Sequence, residues 1–198
     1  MPSVSRRALG ALAIFVGAGG LFAVNRALLR FPPESEPEGA YLRVVTSLEA
    51  GKPEDAFPYL EEEAQVACYT IRDYARLASA AIQADYPAAE RERELSRYEP
   101  IERAGEPPRV WAHLADERGW LRRLRRDLSG VISVAVVDDR ATIVTARGTR
   151  YSFRRRPNGI WGLAMFTAQL EAEAKRLARD WELVKTSAAD FRKATKER

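Results

Sequence analysis

"VISVAVVDDRATIVTARGTRYSFRRRPNGIWGL", residues 131–163, decides the fold of this chain. The run "VISVAVV" is apolar and β-branched, which is typical of a strand, and Asp138-Asp139 predicts a tight turn into a second strand, "RATIVTA". Arg147-Gly148 turns that strand into "TRYSF", and "RPNG" turns the third strand into "IWGLAMF". Strands joined by such short turns predict a four-stranded antiparallel meander.

Alternation along the third strand separates an aromatic face from a basic face. Tyr151 and Phe153 point to one side of the sheet, whereas Arg150, Ser152 and Arg154 point to the other. We therefore expect the aromatic face to pack on helices and the arginine face to lie toward water.

Helical periodicity precedes the sheet. The spacing of apolar residues predicts an amphipathic helix from about residue 40, and Pro53 suits the first turn of a second, short helix. A third helix is predicted over about 61–85 and includes the single cysteine, Cys68, which we interpret as a small core residue rather than a reactive thiol. A fourth is predicted over about 108–128. Helices followed by a meander indicate the α+β class.

The last segment, residues 167–198, is predicted to be one long amphipathic helix. Its apolar residues recur at spacings of four and three: Leu170, Ala174, Leu177, Trp181, Val184, Ala188 and Phe191. Such a seven-residue stripe suits either packing against the rest of this chain or a coiled-coil contact with a protein partner or a second copy.

Residues 8–24 form an uncharged apolar run of seventeen residues, with Arg6 and Arg7 before it and Arg26 and Arg30 after it. As a helix the run would extend roughly 25 Å, which is within the range of membrane-spanning segments. It predicts a retained signal anchor that contacts the membrane. A cleaved secretory signal and a buried helix of a soluble protein are the alternatives.

A short basic tail ahead of the first apolar run usually stays inside the cell, so the rest of the chain is expected on the outer side of the cytoplasmic membrane, in the periplasm of a Gram-negative host. The predicted fold class is therefore α+β with an N-terminal transmembrane helix. The predicted organisation has four parts: an anchor over 1–30, a Pro/Glu-rich linker over 31–39, an α+β domain over 40–166 and the C-terminal helix over 167–198.

This order of elements resembles the NTF2-like, or cystatin-like, superfamily. The resemblance is carried by "SLEAGKPEDAFPYL", by the paired strands "RATIVTARGTRYSF" and by the strand that begins with Gly159-Ile160-Trp161. It covers about residues 38–166 and implies a cone-shaped domain whose concave sheet packs on helices and can leave a pocket. The layout is also similar to bitopic envelope proteins with a periplasmic NTF2-like domain, although the 86–109 insertion and the long C-terminal helix depart from it.

Candidate catalytic residues are few. Enzymes of the resembled superfamily often carry a histidine and an acid inside the cone for proton abstraction. Here the single histidine, His113, precedes Asp116 by three residues, which places both on one side of a helix. The pair is either an oriented base or a chance neighbour relation at a polar helical position. No motif predicts a cofactor or a metal site.

Arginines concentrate in one part of the chain. Residues 118–156 contain eleven arginines against three aspartates, a local formal charge of +8 in a chain of net charge +4. The predicted binding surface combines residues of the fourth helix and of the sheet: Arg122, Arg125, Arg126, Arg150 and Arg154. Arginine forks bind phosphates and carboxylates, so an anionic lipid or an acidic protein is a candidate partner. The alternatives are a solvated face and, less favoured, nucleic acid.

Three functions remain open from the sequence. The first is a non-enzymatic, single-pass membrane-anchored protein whose exported NTF2-like domain serves binding or assembly in a cell-envelope complex. The second is an isomerase, dehydratase or hydrolase that uses His113 and Asp116. The third is a cytosol-facing protein that binds nucleic acid through its arginines. We expect the first, because no cluster of reactive side chains occurs at a catalytic motif spacing.

Overall fold

The structure is a computed structural model that describes residues 32–197. The helices and strands are, in chain order, α1 (Pro37–Glu49), a 3₁₀ helix (Pro53–Tyr59), α2 (Glu62–Asp85), α3 (Ala88–Leu95), α4 (Glu99–Ala104), α5 (Pro107–Glu117), α6 (Trp120–Asp127), β1 (Val131–Val137), β2 (Arg140–Thr145), β3 (Arg150–Arg155), β4 (Trp161–Leu163) and α7 (Thr167–Lys196). The α+β class predicted from the sequence is confirmed for this part of the chain.

The four strands form one antiparallel sheet in the order β1-β2-β3-β4, as the meander pattern predicted. Across its centre Val134 pairs with Ile143, and Ile143 pairs with Tyr151. Tyr151 and Phe153 are buried, and Ser152 between them is exposed. The predicted alternation of an inner aromatic face and an outer polar face is thus confirmed.

The first helix begins earlier than predicted. Pro37 occupies the first turn of α1, where its fixed φ suits a helix and its missing N–H costs nothing, so the helix starts inside the predicted linker 31–39. α1 lies on the inner face of the sheet, where the rings of Tyr41 and Tyr151 are 5.4 Å apart. Gly51, at φ 71°, turns the chain after α1 toward the 3₁₀ helix.

The predicted fourth helix, 108–128, is two helices. Gly119, between α5 and α6, has a φ of 70°, a backbone conformation that residues with a side chain rarely adopt. This conformation breaks the helix. The break brings the Trp120 ring onto the Phe166 ring, with centroids 4.8 Å apart and planes 11° from parallel. Trp111 of α5 completes this aromatic cluster at 5.6 Å from Phe166.

The long helix α7 packs along α2. Its stripe residues Leu170, Leu177 and Val184 are buried in the core of this chain, while Trp181 and Phe191 are partly buried against it. The stripe was predicted either to pack within this chain or to contact a partner. In the structure it packs within the chain, against helix α2 rather than against the sheet.

A further correction concerns the predicted transmembrane helix. Within residues 32–197 no helix is long and apolar enough to cross a membrane. The longest, α7, alternates its buried stripe with charged residues, as expected for a helix that is half buried in a protein core. Residues 8–24, for which the crossing was predicted, lie outside the described residues, so the fold is stated here without a membrane-spanning helix.

Candidate functional site

Strand β1 is apolar and yet exposed. None of its seven residues, "VISVAVV", carries a charge, and six of them are exposed. Ile132, Val134, Val136 and Val137 make up half of the large apolar side chains that are exposed in the described chain. Natural edge strands usually carry a charged residue or a proline that discourages pairing with another strand, and β1 lacks both within the strand.

Helix α1 contacts β1 as well as β2, and Val131 packs against the core, but the side chains farther along β1 are left uncovered. Val134 lies opposite Ile143, and Val136 lies opposite Ala141, so each pair shares the inner face of the sheet. The two β2 residues are buried, whereas Val134 and Val136 are 37% and 52% exposed. The inner apolar surface of the sheet therefore continues onto this part of β1 without a covering layer among the described residues.

The unpaired side of β1 also presents backbone hydrogen-bonding groups. Val137 and Arg140 flank a two-residue turn, and residues in that position exchange both backbone hydrogen bonds. Because bonded and non-bonded pairs alternate along an antiparallel ladder, the N–H and C=O groups of Val134 and Val136 point away from β2. In the described part of the chain no strand pairs with that side of β1, so these groups can accept a further strand.

The opposite edge of the sheet is covered by the chain itself. Leu60 forms a parallel bridge with Leu163 of β4, and the Glu61 N–H donates to the Leu163 carbonyl at 3.1 Å. The Trp161 N–H donates to the Glu34 carbonyl at 3.4 Å on the same strand. Among residues 32–197, β1 is consequently the only open edge of this sheet.

Opposite charges flank the two ends of β1. Asp138 and Asp139 follow its last residue, and Arg126 and Arg147 lie near its start. Ser129 positions the second of these arginines, because its Oγ accepts the Arg147 N–H at 3.1 Å, and the Arg147 guanidinium donates to the Arg126 carbonyl. Within the described residues neither Asp138 nor Arg147 forms an ion pair, whereas Asp139 lies 3.6 Å from the Arg154 guanidinium.

The arginines predicted to form one binding surface lie on two separate elements. Leu121 and Leu124 of α6 are buried, which turns Arg122, Arg125 and Arg126 toward solvent. This helix contacts α1 and α5, so it belongs to the helical layer rather than to the outer face of the sheet.

Arg150 and Arg154 lie on the outer face of the sheet, opposite Tyr151. Arg154 is engaged there, since its Nη1 lies 3.1 Å from a carboxylate oxygen of Glu61 and 3.0 Å from one of Glu63. Of the five predicted arginines, Arg154 thus has a structural role in holding the start of α2 to the sheet.

The two candidate catalytic residues do not form a pair. His113 Nε2 lies 3.8 Å from a carboxylate oxygen of Glu117, one helical turn along α5, and Asp116 is exposed beside it. The inner face of the sheet, on which the resemblance placed a pocket, contains Tyr151, Phe153 and Trp161, all buried. No group of three or more His, Cys, Asp or Glu side chains in the described chain is placed to hold a metal ion.

A groove of about 1310 Å³ lies between α2, α3 and α4. Its charged lining residues are of both signs, and several already have partners: Asp73 pairs with Arg72 at 2.8 Å and Glu99 with Arg103 at 2.5 Å. Two lining atoms, Ser79 Oγ and Arg91 Nε, are buried without a hydrogen bond in the described chain, but no further buried unpartnered polar atom of the lining joins them to mark a binding pocket for a small molecule.

Sequence reasoning identified β1 as a strand but not as a contact element. The signal was present, because an uncharged seven-residue run at one end of a meander is unusual for an edge strand. No protein-family model matches the chain, and neither a curated protein nor a solved structure does. The resemblance to the NTF2-like superfamily therefore stays a prediction.

Proposed function

We propose that this chain is a non-enzymatic binding and assembly domain whose contact element is β1. The observation that carries the proposal is an uncharged apolar strand at an open sheet edge, exposed on both of its faces. Such edges bind by strand addition, in which backbone hydrogen bonds supply affinity and the flanking side chains supply specificity. Binding or assembly was expected from the sequence; the assignment of that role to β1 rests on the tertiary structure.

The burial of the inner face of the sheet supports binding rather than catalysis. Tyr151, Phe153 and Trp161 occupy the space in which an enzyme of the resembled superfamily would hold its substrate. His113 lies one helical turn from Glu117 on α5. The 3.8 Å between His113 Nε2 and the Glu117 carboxylate oxygen exceeds hydrogen-bond distance. No observation favours the enzymatic alternative over a binding role. Location at the cytoplasmic membrane and contact with the bilayer rest on residues 8–24 and stay predictions.

Site-specific photocrosslinking of the full chain in its own cells tests the proposal. A benzophenone amino acid is placed at Ile132 of β1 and, as a matched control, at Leu183 of α7, because both side chains are 69% exposed. We expect discrete adducts from position 132 that position 183 does not give. A second substitution, Val134→Arg, should abolish these adducts, because a charged side chain would then lie where the added strand packs.

Thermal unfolding of the Val134→Arg chain provides the folding control. The residue is at an exposed edge, so its substitution should change the free energy of unfolding by less than about 0.5 kcal/mol. Adducts that are the same at positions 132 and 183, or that persist at full yield in a folded Val134→Arg chain, would show that β1 is not the contact element.

A further inference from the structure

We infer that the strand added to β1 is the β1 of a second copy of this chain, paired antiparallel about a two-fold axis at Ala135. The inference rests on the proposed function, since it names the partner of the same edge. Its support is the pattern of open backbone groups, the distribution of charge and the covering of the opposite sheet edge.

The backbone pattern of β1 is complementary to itself. The open N–H and C=O groups belong to Val134 and Val136, two residues apart. An axis at Ala135 places Val134 of one copy opposite Val136 of the other, so that each pair can exchange both backbone hydrogen bonds. The register irregularity of β1 lies between Val131 and Ser133, so this pairing uses only the regular part of the strand.

The side chains that meet in this arrangement are apolar. Val134 and Val136 lie on the inner face, and in the pair each valine lies beside a valine of the other copy. Val137 would lie opposite Ser133 on the outer face, where neither carries a charge. An uncharged seven-residue strand therefore meets no like-charge repulsion when it pairs with its own copy, and it removes exposed apolar surface from water.

The charges at the two ends of β1 are complementary under the same axis. Val137 of one copy lies opposite Ser133 of the other, so the Asp138-Asp139 turn that follows Val137 lies toward the start of the partner's β1. Ser129 accepts the Arg147 N–H, so the acidic turn of each copy lies beside the basic end of its partner. The two-fold axis repeats this contact, so the interface has one attractive contact between acidic and basic residues at each of its two ends.

The proposed dimer also leaves no open sheet edge in the described part of the chain to which a third copy could add. An antiparallel β1–β1 pair uses the one open edge of each sheet, because the β4 edge is covered by Leu60 and Glu61. The product is one continuous eight-stranded sheet across two copies, with no further open edge among the described residues. Exposed apolar edges that do not close lead to open-ended aggregation, so a closed dimer explains how β1 can stay uncharged.

Disulfide trapping in the full chain tests the register. Opposed residues in a non-hydrogen-bonded antiparallel pair have Cα atoms about 4.5 Å apart, which is within disulfide range. Ala135→Cys should therefore give a covalent dimer on mild oxidation with copper–phenanthroline. In Val137→Cys, the matched control, the two thiols would be four residues apart along the strand, about 13 Å, and should not link. The native Cys68 is buried and does not compete.

Sedimentation equilibrium of the same full chain gives an independent measurement. We expect a monomer–dimer equilibrium over about 1 to 100 μM, since an interface of one strand is small. Val134→Arg should weaken the dimer at least about tenfold, because it places a charge in the apolar contact. Asp138→Asn should weaken it about fivefold and reduce its salt dependence, since Asn keeps the turn and removes one of the two acidic charges at each end of the interface.

The outcomes separate the inference from the proposed function. A monomer at all concentrations, with position-132 photoadducts to a different protein that Val134→Arg abolishes, would overturn the second copy and keep β1 as the contact element. Photoadducts within one chain, to residues 1–31, would overturn both. Disulfide linkage of Val137→Cys as efficient as that of Ala135→Cys would show unspecific association and would also overturn the inference.

Discussion

Tyr41 and Tyr151 pack against each other with ring centroids 5.4 Å apart, but only Tyr41 has a partner for its hydroxyl. The Tyr41 hydroxyl donates to the Ser129 carbonyl at 2.7 Å and accepts the Ser129 N–H at 3.2 Å. The Tyr151 hydroxyl is buried without a hydrogen bond in the described chain. Tyr41 thus ties α1 to the segment that leads into β1, and Tyr151 contributes its ring alone.

Two matched substitutions test this difference. Tyr41→Phe should destabilise the fold by about 1 to 2 kcal/mol, since the Ser129 N–H and carbonyl lose their partner. Tyr151→Phe should be neutral or stabilising by up to about 1 kcal/mol, because it removes a buried polar group that makes no hydrogen bond. Urea unfolding of the two variants measures the change in unfolding free energy that each substitution causes. Equal destabilisation by both substitutions would contradict the hydrogen-bond assignment.

Gly162 permits the close approach of the chain that covers the β4 edge. A Cβ at this position would lie 2.6 Å from the Leu60 carbonyl oxygen and 2.7 Å from two backbone atoms of Glu61. Gly162→Ala should therefore destabilise the fold by about 1 to 3 kcal/mol, since backbone must move. Gly130→Ala is the control, because a Cβ there would meet nothing within 4 Å. Thermal unfolding should show a large loss for the first and a small change for the second.

The stripe on α7 should contribute to stability rather than to a surface. Leu177 is buried, so Leu177→Ala should cost about 2 to 5 kcal/mol of unfolding free energy, whereas exposed Leu183→Ala should change it by less than about 0.5 kcal/mol. Denaturant unfolding of the two chains is the measurement. A folded Leu177→Ala chain of unchanged stability would indicate that α7 is not held against α2 and is free to bind a partner.

Glu173 makes the fold sensitive to acid. Its burial acts to raise the pKa of the carboxyl, but hydrogen bonds and charges from Arg176 and Arg118 outweigh burial and hold the pKa below its usual range. A carboxylate whose pKa is lowered by folding stabilises the fold above its unfolded pKa, about 4.3, and loses that contribution as pH falls through the folded pKa.

Glu173→Gln should accordingly lower the unfolding free energy by about 1 to 2 kcal/mol at pH 7, and the deficit should shrink below about pH 4. Glu182→Gln, which removes an exposed ion pair with Lys185, serves as the control and should have little effect at either pH. Urea titrations between pH 3 and pH 7 measure both. A deficit for Glu173→Gln that stays constant down to the acid limit would contradict the charged role of this residue.

Cys68 should be unreactive in the folded protein. Burial raises the pKa of its thiol to about 12, so almost none of it is thiolate at pH 8. We expect the thiol-specific reagent DTNB to label the native chain only as fast as it unfolds, and to label the urea-unfolded chain at once. Because the unfolded thiol ionises near pH 8.5, stability should also fall as pH rises above that value. Rapid labelling of the native chain would contradict the burial of Cys68.

Local pattern predicted most of the secondary structure. Two-residue alternation predicted the strands, and the Tyr151/Phe153 face is buried as expected, because side-chain direction in a strand follows from backbone geometry alone. Helical spacing likewise predicted α1, α2 and α7. It missed the break at Gly119, since a glycine within a periodic helix pattern does not reveal its φ.

The candidate site was less predictable. The local excess of arginines predicted a binding surface on α6 and β3, because charge can be counted from the sequence. In the structure Arg154 instead forms ion pairs with Glu61 and Glu63. The exposure of β1 could not be predicted from the sequence, because an apolar strand has the same residue pattern whether or not a helix covers it.

The sequence by itself determined the α+β class, the four-stranded order and the inward direction of the aromatic side chains, since these depend on periodicity and turn residues within short windows. Only the tertiary structure decided which elements cover which surfaces. It packs the α7 stripe on α2 and lays Leu60 along β4, and it leaves β1 uncovered. Those contacts join residues far apart in the chain, and no local pattern encodes them.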